Sequence, residues 1–344
     1  MSSPNKNKKI LVVAPAWVGD MVMTQTLFQV IKQQHPDAII DVLAPAWTQG
    51  LLERMPEVHQ SFISAFKHGE LRLWQRLQLA RQLRSNHYSQ VIILPNSFKS
   101  ALIPFFSAIP QRTAWRGEWP RFCLVNDART LDEQHLPLMV QRFAALGLPK
   151  NACLPDPLPM PLLNISSEKL NAALQKLQLP LPKRPLLALA PGAEFGPSKR
   201  WPASHFAEVA KAKLAQNWDV WLFGSGNDSA ITQEIYKLTD GKVVDLTGKT
   251  TLAEAVDLLS LATAVISNDS GLMHIAAALK KPLVAIYGST SPKFTPPLSD
   301  KVVIVSLDLS CSPCFQRVCP LGHWRCMLDL KPEEILAGLE RLGV

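Results

Sequence analysis

Ala264-Val-Ile-Ser-Asn-Asp-Ser-Gly-Leu-Met-His274 runs from an apolar strand, through a turn of small polar residues, into a helix that continues to Leu279. The same grammar recurs on either side. Leu186-Leu-Ala-Leu-Ala190 ends in Pro191-Gly-Ala-Glu-Phe-Gly196, and Val220-Trp-Leu-Phe223 ends in Gly224-Ser-Gly226. Val243-Val-Asp-Leu246 precedes Thr247-Gly248, and Leu283-Val-Ala-Ile286 precedes Tyr287-Gly-Ser289. Five short apolar runs, each closed by a Gly- or Ser-rich turn and separated by helix-length segments, predict a doubly wound α/β domain. The C-terminal ends of its strands form one ligand rim.

The first half reads similarly. Ile10-Leu-Val-Val-Ala14 is a buried strand, followed by the loop Pro15-Ala-Trp-Val-Gly-Asp20 and a helix with Met23, Leu27, Val30 and Ile31 on one face. Ile39–Leu43 and Val91–Leu94 are further strands, the latter ending in Pro95-Asn-Ser-Phe-Lys99. Between Leu148 and Lys169 stand five prolines, at 149, 155, 157, 159 and 161. Proline cannot fill a helix interior or a central strand, so this stretch is expected to join two domains. Ser166 or Ser167 then caps a new helix. The expected organisation is a domain over 1–160, a second over 161–330, and a terminal helix over 331–344, with packing back on the first domain as an option.

Composition narrows the class. At 344 residues the chain is too long for one ordinary core, and 47% hydrophobic with 19% charged residues is globular. The longest stretch free of Lys, Arg, Asp and Glu, Ser85–Phe98, is shorter than the roughly 20 apolar residues of a membrane span. The basic start, MSSPNKNKK, lacks a signal-peptide apolar segment, so six cysteines are expected as thiols in a cytoplasm. Residues 1–165 hold 17 Lys and Arg against 11 Asp and Glu, a balance of +6; residues 166–344 hold 19 against 17, or +2. The basic half suits an acidic partner or is ordinary solubility charge.

Several loops carry chemistry. At Asn268-Asp-Ser-Gly271 the N–H groups of Ser270 and Gly271 open a helix, an arrangement suited to a diphosphate or simply a cap. Lys199 and Arg200 are adjacent cations on a strand-to-helix loop, read either as phosphate partners or as a solvated pair. Asp20 is a general base or a helix cap; no G-x-G-x-x-G accompanies it. Cys311-x2-Cys314-x4-Cys319-x6-Cys326, with His323 inside, is either a compact thiol loop or a structural zinc site. In Lys99–Arg121, apolar residues, two Trp and cations at 112, 116 and 121 compose an interfacial surface or a core helix with a surface loop.

Asp20 after Gly19, Pro95-Asn-Ser-Phe-Lys-Ser-Ala101, Pro191–Pro202, Asn268–His274 and Tyr287-Gly-Ser-Thr-Ser-Pro292 occur in an order that resembles the ADP-heptose:lipopolysaccharide heptosyltransferases, family 9 glycosyltransferases. The likeness covers essentially the whole chain, and the Cys-rich tail is similar to the subgroup that adds the second heptose. It implies a GT-B fold, two Rossmann-like domains facing a cleft, with the acceptor on the first and the nucleotide sugar on the second. It implies inverting transfer of L-glycero-D-manno-heptose from ADP-heptose to the first heptose of the inner core on Kdo2–lipid A. No metal or other cofactor is implied, in keeping with the lack of an Asp-x-Asp pair. Asp20 matches the proposed base, and Lys199 the cation at the departing diphosphate. Asp269, Ser270, Gly271 and His274 contact ADP-heptose; Asp228 and Thr250, with Thr251, lie near ribose or adenine. Lys99, Arg116 and Arg121 are acceptor candidates. The acceptor is anionic and membrane-borne, so the cytoplasmic face of the inner membrane is the expected location and no nucleic acid is expected. A family relative with another core acceptor, a sugar-nucleotide epimerase of similar architecture, and a nucleic-acid-binding protein using the basic half are the alternatives.

Overall fold

The computed structural model describes residues 8–66 and 70–344; the basic start of the chain, residues 1–7, lies outside them. The chain divides into two compact units, Met1–Pro161 and Leu162–Val344. The first contains β1 (Lys9–Val13), β2 (Ile39–Ala44), β3 (Val58–Ile63), β4 (Gln90–Ile93), β5 (Gln111–Trp115) and β6 (Asp127–Arg129). The second contains β7 (Leu186–Ala190), β8 (Asp219–Leu222), β9 (Val244–Asp245), β10 (Ala264–Asn268), β11 (Leu283–Ile286) and β12 (Val302–Val305).

Each set forms one parallel sheet, in the orders β3-β2-β1-β4-β5-β6 and β12-β11-β10-β7-β8-β9. Numbered within its own unit, each sheet reads 3-2-1-4-5-6, the order of the doubly wound nucleotide-binding fold. Crossovers leave the central pair in opposite directions, so the strand ends at β1/β4 and at β7/β10 are open. Those ends carry the loops at Asp20, Pro95–Lys99, Pro191–Pro202 and Asn268–Gly271.

The central strands were legible because both faces are covered: β7 is LLALA with every residue buried, and β1 is KILVV with four of five buried. The structure adds β3, β5, β6 and β12 to the strands expected from sequence. β3 (VHQSFI) and β6 (DAR) are edge strands, polar or very short, with no apolar run to signal them. β5 (QRTAW) lies within Lys99–Arg121, read as an interfacial surface or as a core helix with a surface loop; the helix there is Phe98–Phe106, and the strand follows it. The proline-rich connector has neither helix nor strand between 152 and 165, yet it is tied down. Thr26 Oγ1 donates to the Pro159 carbonyl at 2.9 Å, and the Leu163 N–H donates to the Ala278 carbonyl at 3.2 Å.

The terminal helix Pro332–Arg341 packs on β11, β12 and the helix Ala203–Ala215 of the second unit. Its fully buried Ile335 and Leu339 belong to the second unit's core. Trp201 anchors the same core: it has no exposed surface, stacks edge-on against Phe206 at 4.9 Å, and donates from Nε1 to the Leu330 carbonyl at 2.9 Å.

Trp201→Ala removes a large side chain and leaves the Leu330 carbonyl without its donor. A loss of about 3–5 kcal/mol is expected in urea unfolding; a change below 1 kcal/mol would mean the core closes around the gap.

Candidate functional site

In the second unit, three loops are joined at the switch point. Asn268, fully buried at the end of β10, donates from Nδ2 to the Pro191 carbonyl at 2.7 Å and accepts the Trp201 N–H at 3.3 Å. It therefore clamps both ends of the loop after β7. Lys199 Nζ lies 2.6 Å from Asp269 Oδ2, and Thr290 Oγ1 donates to the same oxygen at 2.5 Å. The Lys199 and Asp269 side chains are only 13% and 6% exposed, so this is a largely desolvated pair.

Arg200, the neighbouring cation, turns to a different acid: its Nη2 is 3.7 Å from Asp228 Oδ1. Adjacent cations on one loop thus reach acids after two other strands. Ser270 is the N-cap of the helix Gly271–Ala278, and its side chain makes no capping bond. The first N–H groups of that helix follow Asp269 directly in the chain, the kind of helix end that suits an anion. His274 is one turn in and buried. Burial pushes its pKa down to about 4; Asp269 pulls upward and Lys199 adds to the depression. The imidazole is neutral at physiological pH and acts as a polar wall, not a cation.

Asp228 is buried, with Oδ2 accepting from the N–H and hydroxyl of Ser225 at 2.9 and 2.8 Å. Its Oδ1 accepts no hydrogen bond among the described residues, and neither does the buried Thr247 hydroxyl make one. Both border Gly224, whose added Cβ would lie 3.0 Å from Asp228 Cβ and 3.3 Å from Thr247 Cγ2. A Cβ on Gly192 would fall 2.3 Å from Asp228 Cγ. Both atoms are buried behind the glycines of this rim. Thr247 was not singled out from sequence. Thr251 instead caps the helix Leu252–Leu259 in a reciprocal pair with Glu254, and Thr250 is half-buried in the turn before it.

In the first unit, Asp20 is half-buried in the first turn of the helix Val18–Gln34, at the C-terminal end of β1. A carboxylate there opposes the positive helix end. Trp17 and Trp47 are exposed nearby in the fold, and Trp47 Nε1 donates to the Ala16 carbonyl at 3.3 Å. Lys99 is half-buried at the start of the helix after β4, and Arg116 is exposed just after β5.

Arg121 overturns its expected role. It has no exposed surface and cannot meet an acceptor. Its guanidinium donates to the carbonyls of Trp115 at 2.7 Å and Ile93 at 3.2 Å, and to Asn96 Oδ1 at 3.3 Å. Burial lowers its pKa to about 10, partly offset by Glu118. Arg121 shapes the rim at the ends of β4 and β5 from beneath. Asn268, Thr290 and Arg200 were visible within the quoted motifs, but which backbone or carboxylate each would hold was not.

Comparison with known proteins gives a consistent picture. The sequence profile of Glycosyltransferase family 9 (heptosyltransferase) matches residues 76–325. The chain is 44% identical over 343 residues to Lipopolysaccharide heptosyltransferase 2 of Salmonella typhimurium, covering 97% of this chain and 98% of that protein. It is 43% identical to the protein of the same name in Escherichia coli, with the same coverage. Among solved structures, the ADP-heptose lipopolysaccharide heptosyltransferase II of E. coli superposes with a TM-score of 0.86 at 42% identity, over 97% of this chain and 98% of that one.

The neutral His274 generates a pH signature. The unfolded chain protonates this residue near 6.5, the folded chain only near 4. Below pH 6.5 the unfolded state therefore binds the extra proton, and stability falls as pH drops toward 4. In urea unfolding between pH 7 and 4.5, His274→Gln should lose less stability than the parent chain; an equal slope in both would contradict a buried neutral imidazole.

Proposed function

For this chain, which belongs to glycosyltransferase family 9, the heptosyltransferases, we propose transfer of L-glycero-D-manno-heptose from ADP-heptose to the first heptose of the lipopolysaccharide inner core, with inversion. The observation that carries this reading is the near-full-length 44% identity to a protein named Lipopolysaccharide heptosyltransferase 2. The fold agrees: two Rossmann-like units of the GT-B type, each with its motif loops at the switch point of its sheet.

The chemistry is a displacement. An acceptor hydroxyl attacks the anomeric carbon, the bond from that carbon to the diphosphate oxygen breaks, and ADP leaves with the electron pair. Asp20 takes the hydroxyl proton. Lys199 and the N–H groups at Ser270–Gly271 meet the charge that grows on the diphosphate. Asp269 holds Lys199 ready, and His274 bounds the site without adding charge. Asp228, whose carboxylate can only accept, and Thr250 border the ribose and adenine edge. No resident metal takes part in this scheme, since Lys199 and the helix end supply positive charge for the diphosphate.

Among the described residues no helix is long and apolar enough to cross a membrane. Contact with the bilayer that bears the acceptor is assigned to a surface of the first unit. Trp119 is 80% exposed, and Phe105 and Phe122 are also exposed. Arg116 stands close in sequence and is exposed as well. Aromatic residues with a cation suit an anionic interface, here the cytoplasmic face of the inner membrane.

Asp20→Asn should lower transfer about a hundredfold or more while ADP affinity, measured by calorimetry, stays near that of the parent. Loss of ADP binding would assign Asp20 to structure. Lys199→Ala should weaken ADP binding and turnover together; an unchanged rate would remove it from the diphosphate. Cores ending in Kdo, one heptose or two heptoses should be used only in the one-heptose case. A Trp119→Ser/Phe122→Ser chain should sediment less with anionic vesicles than the parent; equal sedimentation would move the membrane contact elsewhere.

A further inference from the structure

The segment after β12 is left unexplained by heptosyl transfer. Cys311, Cys314, Cys319 and Cys326 all line one small cavity, together with His323, Ser198 and Ser289. All four are free thiols, as are the exposed Cys123 and Cys153 elsewhere in the chain. Four soft donors converging from one short loop suit a thiophilic metal ion better than any hydrogen-bonding ligand.

The surroundings of the sulfurs separate ligands from supporting groups. Backbone N–H groups of Leu321, Gly322, His323 and Trp324 face the Cys319 sulfur. His323 Nδ1 accepts the Arg325 N–H at 3.1 Å, so the proton of a neutral ring sits on Nε2. That nitrogen lies 3.9 Å from Cys311 Sγ. His323 therefore donates toward a sulfur and is not a ligand itself. N–H donors around thiolates are the outer shell of a metal site. Among the described residues no three such side chains already stand in coordination geometry. Sulfurs around tetrahedral zinc are about 3.8 Å apart, given Zn–S bonds of about 2.3 Å, so binding requires the four sulfurs to draw together.

The same loop props up the cation-bearing loop. The Arg317 carbonyl accepts the Ser198 N–H at 3.2 Å, and a Cβ on Gly196 would lie 2.5 Å from it. Ser198 Oγ donates to the Gln316 carbonyl, and the Phe315 N–H donates to the Ser289 carbonyl at 2.7 Å. Phe195 faces both Lys199 Nζ, at 4.9 Å, and the Arg317 guanidinium, at 5.5 Å. Residues 315–317, enclosed between Cys314 and Cys319, thus hold 195–199 in place.

We infer that Cys311, Cys314, Cys319 and Cys326 bind one thiophilic divalent ion of the zinc class, which fixes the loop supporting Lys199. The link to ADP rests on the proposed function; the metal site does not. The full chain, purified without chelator, should carry about one zinc per chain by elemental analysis. With a thiol reagent, Cys123 and Cys153 should react quickly, and the other four slowly, with release of the ion. Cys314→Ser and Cys319→Ser should lose the ion and bind ADP several-fold more weakly; Cys123→Ser should change neither. Stripping the parent chain with a chelator and restoring zinc repeats the comparison without a variant. Metal-free protein with six equally reactive thiols overturns the site, as does protection of the four thiols that only a reductant relieves. Loss of the ion with unchanged ADP affinity overturns the link to Lys199. A zinc-loaded chain that never binds ADP refutes the proposed function and leaves the metal site standing.

Discussion

The second unit is organised around a single contact, the ammonium of Lys199 against the carboxylate of Asp269 at 2.6 Å. Both groups are largely removed from water, where an ion lacking its partner costs several kcal/mol. The pair therefore fixes the loop after β7 to the end of β10. These are the strand ends that the sheet order leaves uncovered, the edge at which doubly wound sheets bind their ligands. Thr290 braces the carboxylate from a third loop, and Asn268 clamps the backbone on either side. Positive charge at the helix opening is thus held in position before any anion approaches, which is how preorganised electrostatics act.

Polar groups that shape the site without touching its opening follow the same logic in both units. Arg121 is spent on carbonyls at the ends of two strands, and one oxygen of Asp228 on the turn at Ser225. Such groups set the course of the rim backbone. In the proposed reaction the chemistry is left to a small number of side chains: Asp20 in the first unit, Lys199 and the Gly271 helix end in the second.

Much of this was legible in the chain. Buried parallel strands are continuous apolar runs, so β1, β7, β10 and β11 announce themselves, and the glycine- and serine-rich turns mark which ends are open. Edge strands carry no such signal, and β3 and β6 passed as loops because half-covered strands tolerate His, Gln, Asp and Arg. Site residues divide likewise. Asp20, Lys199 and Asp269 were singled out by their motif positions and the family resemblance; the structure sets Asp20 in the first turn after β1 and pairs Lys199 with Asp269. Arg121 was misjudged because an arginine between Pro and Phe looks like surface, and only the fold shows carbonyls waiting around it. Thr247, Thr250 and Thr251 are spaced closely in the sequence, and only the fold shows that the first is buried and the last caps a helix.

The contact between Gly192 and Asp228 also bears on how this rim can change over time. The carboxylate occupies the space any larger residue at 192 would need. A lineage that altered residue 192 would first have to shrink or move the acid, and Arg200 would then lose its counter-ion. Three positions far apart in the chain are thereby bound into one inherited unit, so a library that randomises them singly samples mostly dead ends, whereas one that varies them together can reach new rims.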